Sequence, residues 1–193
     1  MYLFFDTETT GRPRNWNAPV TDTANWPRMV QIAWLYYDEQ HHLIDAQDHI
    51  IQPEGYAIPS DVTKIHGITT AIAKEKGVDL TSVLTTFKRL IDKAEYIIAH
   101  NISFDEKIIG AEFHRKKMAH RLFLSDRICT MKGSMDFCKL PGKYGRYKWP
   151  SLSELHQKAF GKDFTEQHNA RADTQACADC FFKMLDLGAI DLL

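Results

Sequence analysis

Residues 4–11 read FFDTETTG. An apolar run ends by presenting two carboxylates, Asp6 and Glu8, separated by one threonine. With Tyr2 and Leu3 ahead of it, the segment predicts a strand over 2–8, and its apolar lead-in predicts a central position in the sheet. Strand side chains alternate with period two, so Asp6 and Glu8 share a face, roughly 6.6 Å apart at Cα. Two like charges at the end of a buried strand oppose folding unless an opposite charge holds them. Two oxygen donors so placed bracket a hard divalent cation. A solvated edge strand is the plain alternative for an isolated D-x-E pair.

Outward from this strand, MVQIAWLYY (29–37) and residues 43–51 predict two more strands, with 12–28 as a long loop. Pro59 followed by SDVTKIHG predicts a short helix closed by Gly67. Asp79 opens the clearest helix: Leu80, Val83, Leu84, Phe87, Leu90 and Ile91 form one apolar stripe. EYIIAH (95–100) predicts a short buried strand, and Ser103 is placed to cap a helix carrying Ile108, Ile109 and Phe113 inward. A fifth strand is expected over 123–128 and irregular chain over 133–150. Two last helices are expected, from Ser151 to Phe160 and from Ala170 to Leu187. Strands first, then strands alternating with helices, predict an α/β domain with a mixed sheet covered by helices.

A chain of 193 residues predicts a single domain over 1–193, and 44% apolar with 25% charged residues is ordinary globular composition. The net charge of −1 argues against a protein that grips long duplex by neutralising phosphates. It leaves room for a local site that holds a few nucleotides. MYLFFD carries no basic leader, and runs such as YIIA (96–99) are too short to cross a membrane, so a cytoplasmic protein is expected. Its four cysteines are then reduced thiols. Cys177 and Cys180 form a C-x2-C that invites zinc, but helical spacing makes them neighbours on one buried face, and core packing is the expectation.

Two further stretches supply acids at matching places. In HNISFDEKII (100–109), Asp105 falls in a first helical turn just after a buried strand. Dipole complementarity alone would favour an acid there. In HNARADTQACADC (168–180), Asp173 shares a helix face with Cys177 and Cys180, and a carboxylate on a buried face needs a partner. His168 lies in the preceding loop, within reach of the same place. Each feature has a bland explanation alone, but four carboxylates gathered at strand ends and early helix turns would repel one another without cations. Oxygen-only donors select Mg²⁺ or Mn²⁺. Two such ions stabilise the attacking and leaving oxygens of phosphodiester cleavage, and a histidine titrating near neutrality takes a proton from water. Setting the four acids aside turns the formal charge of −1 into +3, which suits a polyanionic substrate.

DTETTG (6–11), HNISFD (100–105) and HNARAD (168–173), taken in order, resemble the DEDD family of 3′–5′ exonucleases in its histidine-containing branch. That branch includes the epsilon proofreading subunit of bacterial DNA polymerase III. KIHGIT (64–69) is similar to the family's histidine-glycine segment near the 3′-terminal nucleoside. The resemblance runs from residue 2 to about 187. It implies a ribonuclease H-like fold, with a mixed five-stranded sheet flanked by helices, and release of nucleoside 5′-monophosphates from a 3′ end. It implies that Asp6, Glu8 and Asp173 hold one metal, that Asp6 and Asp105 serve a second, and that His168 is the general base. Thr9, Thr10, His66, His100, Asn101 and Phe104 match positions lining the family's terminal-nucleotide pocket.

Two departures stand out. Cys129 in ICTM (128–131) occupies a place where relatives often carry aspartate, and the 12–28 loop is longer than usual, with Arg12, Arg14, Trp16, Trp26 and Arg28. KLPGKYGRYKW (139–149) interleaves four basic residues with Tyr144, Tyr147 and Trp149. That alternation suits a single strand, and equally suits a solvated loop pinned by its aromatics. The expected substrate is single-stranded DNA. RNA is the rival within the family, and a DNA polymerase is a possible partner. A non-catalytic binding domain and a zinc-organised domain are the alternatives of other classes.

Overall fold

The computed structural model describes residues 1–165 and 167–192. Strands β1 (Tyr2–Thr9), β2 (Met29–Tyr37), β3 (Leu43–Ile50), β4 (Tyr96–Ala99) and β5 (Asp126–Cys129) form one sheet in the order β3-β2-β1-β4-β5. β1 pairs antiparallel with β2 and parallel with β4, and β4 pairs parallel with β5, so the sheet is mixed as expected. β1 lies in the middle, which accounts for its unbroken apolar start.

Alternation along β1 divides the core between two helix layers. Leu3 and Phe5 face one cluster with Trp34 of β2 and with Leu84, Phe87, Ile108, Ile109 and Phe113, drawn from α3 (Leu80–Ile91) and α4 (Ile102–Arg115). Tyr2 and Phe4 face the other, with Tyr37, Ile98, Cys177 and Phe181 from α8 (Ala170–Asp186). The same alternation aims Asp6 and Glu8 at the α8 layer and Thr7 at the α4 layer.

α3 starts where the sequence places it, with the Asp79 carboxylate accepting from the Ser82 N–H at 2.8 Å. Gly67 ends α1 (Ser60–His66) in the left-handed conformation, φ 76°, which a side chain would disfavour. α7 (Leu152–Phe160) carries a reciprocal capping box between Ser151 and Glu154.

Several expectations need correction. Ser103 does not cap α4: the N-cap position is Asn101, in a left-handed backbone, φ 69°, whose side chain makes no capping bond, and Ser103 sits inside the first turn with its hydroxyl donating to Asn101 Oδ1. The fifth strand covers 126–129 rather than 123–128, because Leu122–Leu124 closes into a 3₁₀ turn that buries Leu122. α2 (Thr70–Lys76) is a helix the polar sequence did not announce, started by Thr69 accepting from the Ile72 N–H. The first part of 133–150 is helical too: α5 (Thr130–Gly133) and α6 (Met135–Cys138) bury Thr130 and Cys138. Among the described residues no helix is long and apolar enough to cross a membrane.

Candidate active site

β1 carries Asp6 and Glu8 to its C-terminal end, where its register with β2 shifts between Glu8 and Thr9. Opposite Glu8 in that register is Gln31. Its side-chain carbonyl accepts from the Ala170 N–H at 3.4 Å, and its amide donates to Asp48 at 2.7 Å. This tie brings the first turn of α8 against the end of β1. Asn169 caps that turn, accepting from the Arg171 and Ala172 N–H groups. Asp173 follows in the first turn, and one carboxylate oxygen each from Asp6, Glu8 and Asp173 lies within 4.8 Å of the other two.

Asp105 arrives from the opposite layer. It is 3% exposed in the first turn of α4, and its Oδ1 accepts from the Thr7 N–H at 3.0 Å and the Thr7 hydroxyl at 2.7 Å. The spacer of the D-x-E motif thus holds the third carboxylate, a role that no spacing rule assigns to it.

All four acids are pushed upward in pKa. Burial raises Asp6 well above the usual range, and Asp105, Asp173 and Glu8 add repulsion. Burial and then Asp173 and Asp105 lift Glu8 to about 8. Asp105 reaches about 7 through burial, against the pull of Thr7's hydrogen bonds, and Asp173 about 6 through burial, against the influence of His168. Among the described residues none of the four forms an ion pair with Lys, Arg or His. A converging, all-oxygen donor set with no basic partner fits a hard divalent cation.

His168 immediately precedes Asn169 with a left-handed backbone, φ 66°, and its N–H donates to Asp173 Oδ2 at 3.0 Å. It is exposed, and with Asp6, Asp173, His100, Ser151 and Phe164 it lines a cleft of about 350 Å³. A smaller cleft of about 160 Å³ is lined by Glu8 with Thr9, Arg12, Ile65, His66 and Phe104 among others. Of the six residues matched to the terminal-nucleotide pocket, Thr9, His66 and Phe104 line this smaller space. His66 Nδ1 accepts from the Ile68 N–H at 3.1 Å, so the ring is set by its own helix end.

The other three lie elsewhere. Thr10 pins the following loop, its hydroxyl accepting from the Arg28 N–H at 3.0 Å. Asn101 stands at the N-cap position of α4. His100 stands in the larger cleft with both ring nitrogens engaged, by the Thr130 hydroxyl at 3.0 Å and the Pro150 carbonyl at 3.1 Å. Burial lowers its pKa to about 4, so it is a neutral imidazole joining β4 to the chain before α7. In the long loop, the half-exposed Trp16 ring leans on Phe104 at 5.6 Å between centroids, extending the aromatic wall of the smaller cleft. Cys177 and Cys180 are buried free thiols that pack in separate core clusters, as core rather than metal ligands.

Comparison with known proteins gives this geometry its family. Residues 3–181 match the RNase_T family, described as exonuclease. The chain is 29% identical over 184 residues to the DNA polymerase III subunit epsilon of Treponema pallidum, covering 95% of this chain and 76% of that protein. It is 27% identical to a PolC-type DNA polymerase III of Staphylococcus aureus, over 95% of this chain but 11% of that protein. E. coli exonuclease I in complex with a dT13 oligonucleotide superposes with a TM-score of 0.74 at 21% identity, over 96% of this chain and 40% of that one. A zinc-bound form of exonuclease I with single-stranded DNA matches with a TM-score of 0.72 at 24% identity. The solved structures share the mixed five-stranded, ribonuclease H-like fold, and this chain spans about two-fifths of their length. The family depends on divalent metal, in keeping with the acidic cluster at the end of β1. Because the match runs from the first strand into the last helix and takes in every one of those acids, the chain belongs to the RNase_T exonuclease family, a family of 3′–5′ exonucleases.

Proposed function

We propose that this single domain removes nucleoside 5′-monophosphates from the 3′ end of single-stranded DNA by a two-metal mechanism. The observation that most supports the reading is the convergence of four like-charged carboxylates, Asp105 buried and the others half-buried, that among the described residues form no ion pair. Asp6, Glu8 and Asp173 would hold one divalent ion, Mg²⁺ or Mn²⁺, and Asp6 with Asp105 would hold a second. When bound, the ions stabilise the attacking and leaving oxygens of an in-line displacement.

The protein's own residues do the rest. Thr7 fixes Asp105, and Gln31 fixes the start of α8 and so Asp173. Thr9, His66 and Phe104 receive the terminal nucleoside in the smaller cleft, where the Phe104 ring offers a stacking face. Thr10, His100 and Asn101 act from behind, holding the loop, the cleft wall and the α4 start. His168, exposed at the cleft rim beside Asp173, accepts the proton of the attacking water. The names of the relatives extend the reading to a DNA polymerase partner, and a cytoplasmic setting belongs to the same proposal.

The test is purified protein with 5′-labelled single-stranded DNA and RNA, with and without EDTA. The expected result is a ladder shortened from the 3′ end that EDTA abolishes, Mg²⁺ or Mn²⁺ restores, and His168→Ala nearly eliminates. A ladder that persists in EDTA sinks the metal mechanism. Faster cleavage of RNA moves the substrate to RNA, and binding of either polymer without cleavage points to a non-catalytic domain.

A further inference from the structure

Residues 139–149 fold back on themselves as a small hairpin beside the larger cleft. The Gly142 N–H donates to the Arg146 carbonyl at 2.8 Å, the Lys148 N–H donates to the Leu140 carbonyl at 3.1 Å, and Pro141 bridges Tyr147. Its arms press so closely that a Cβ on Gly142 would stand 2.6 Å from the Arg146 carbonyl oxygen. Tyr144 turns the tip in a left-handed conformation, φ 58°. At the root, Leu140 packs against the cluster of Cys138, Leu155 and Met184, and Lys148 pairs with Glu154. The Pro150 carbonyl, one residue past the hairpin, accepts from His100 Nε2. Ser151 and Leu152 then line the cleft that holds Asp6 and Asp173. The hairpin is therefore an anchored projection rising from the wall of the active site.

What it projects is unusual for a chain of net charge −1. Lys139, Lys143, Arg146 and Lys148 fall within eleven residues that contain no acid. Among the described residues only Lys148 of the four has an acidic partner. Tyr144 is 98% exposed, Trp149 59% and Tyr147 41%, so these rings contribute little to burial of the hairpin itself. Lys132 Nζ stands 5.9 Å from the Trp149 ring, adding a cation beside it. Unpaired cations set among bare aromatic faces match a ligand with phosphates and accessible base faces. A duplex presents the phosphates but hides the faces; an unpaired strand presents both.

We propose that the 139–149 hairpin grips the single strand on the 5′ side of the scissile bond, stacking bases on Tyr144 and Tyr147 and pairing phosphates with Lys143 and Arg146. The inference rests on the exonuclease reading, and binding measurements separate the two. Tyr144→Ala/Tyr147→Ala and Lys143→Glu/Arg146→Glu are compared with the unaltered chain by anisotropy of a labelled twelve-nucleotide single strand, in Ca²⁺ to prevent turnover. Each pair of changes is expected to weaken binding by about tenfold or more, and the charge pair to flatten the salt dependence by about 1.4 in log–log slope. Cleavage of the twelve-nucleotide strand should fall at least about tenfold further than cleavage of a dinucleotide, which is too short to span both sites. Strand binding unaltered in both variants overturns the proposal, as does an equal loss on dinucleotide and long strand. Retention of anionic phospholipid vesicles that both variants lose, with no strand binding, reassigns the hairpin to a membrane surface. If the unaltered chain binds the strand through the hairpin and cleaves nothing, the hairpin stands and the exonuclease reading fails.

Discussion

Glu112 and the acids at the end of β1 are withdrawn from solvent in opposite ways. Glu112, on α4, is 0% exposed and is met by Arg28 Nε at 2.9 Å, Arg115 Nη1 at 3.1 Å and the Met29 N–H at 2.9 Å. Arg115 in turn donates to the Thr23 and Trp26 carbonyls, so this cluster fastens the long 12–28 loop to the helix. At the end of β1, Asp6, Glu8, Asp105 and Asp173 converge with no such partner among the described residues. A buried charge with its complement in place is architecture; a buried charge awaiting its complement is a binding site.

Substitutions should break this contrast cleanly. Asp6→Asn is expected to lower exonuclease activity by about a thousandfold or more, since it removes a donor to both proposed ions. The same change relieves repulsion, so the metal-free melting temperature should rise. A fall in that temperature would show that Asp6 already has a protein partner. Glu112→Gln should do the reverse, costing about 3 kcal/mol of stability by stranding Arg115 and leaving Arg28 only its half-exposed partner Glu54. Chemical denaturation reads that loss directly, and a neutral result would demote the cluster to a passive contact.

The metal-free pH profile sharpens the comparison further. Glu8 near 8, Asp105 near 7 and Asp173 near 6 are raised above unfolded carboxylates. The folded chain therefore binds more protons than the unfolded chain between about pH 4 and pH 8. Stability is fullest below that window and falls as pH rises through it. Melting temperatures in EDTA should drop from pH 5 to pH 8, and saturating Mg²⁺ should restore them at pH 8. A flat profile in EDTA would mean the four acids are compensated after all. Thr7→Val is the mildest test: it keeps shape but deletes the hydroxyl bond to Asp105, so activity should fall about tenfold at pH 7. Part of that loss should return at higher pH, where Asp105 ionises without help.

Much of this was legible in the chain because the relevant forces are local. Alternation places Asp6 and Glu8 on one face, and the α3 stripe and its Asp79 cap need only neighbouring residues. Where packing decided the outcome, the sequence was silent. α2 is a short polar helix whose only buried residue is Ala73, so no apolar period marks it. Thr7 and Gln31 look like spacers, because their partners lie 98 and 139 positions away in the chain. His100 and Asn101 sit in the same motif as Asp105, yet one braces the cleft wall and the other turns the chain into α4 from a left-handed backbone.

The hydrogen bonds from Thr7 to Asp105 also bear on timing. Loop-closure entropy makes a contact across so many residues slow to form, and α8 must still dock afterwards to bring Asp173. The first carboxylates of the site therefore emerge from the ribosome long before the last. Until the whole sheet has closed, the nascent chain carries scattered acids rather than an assembled metal-binding site.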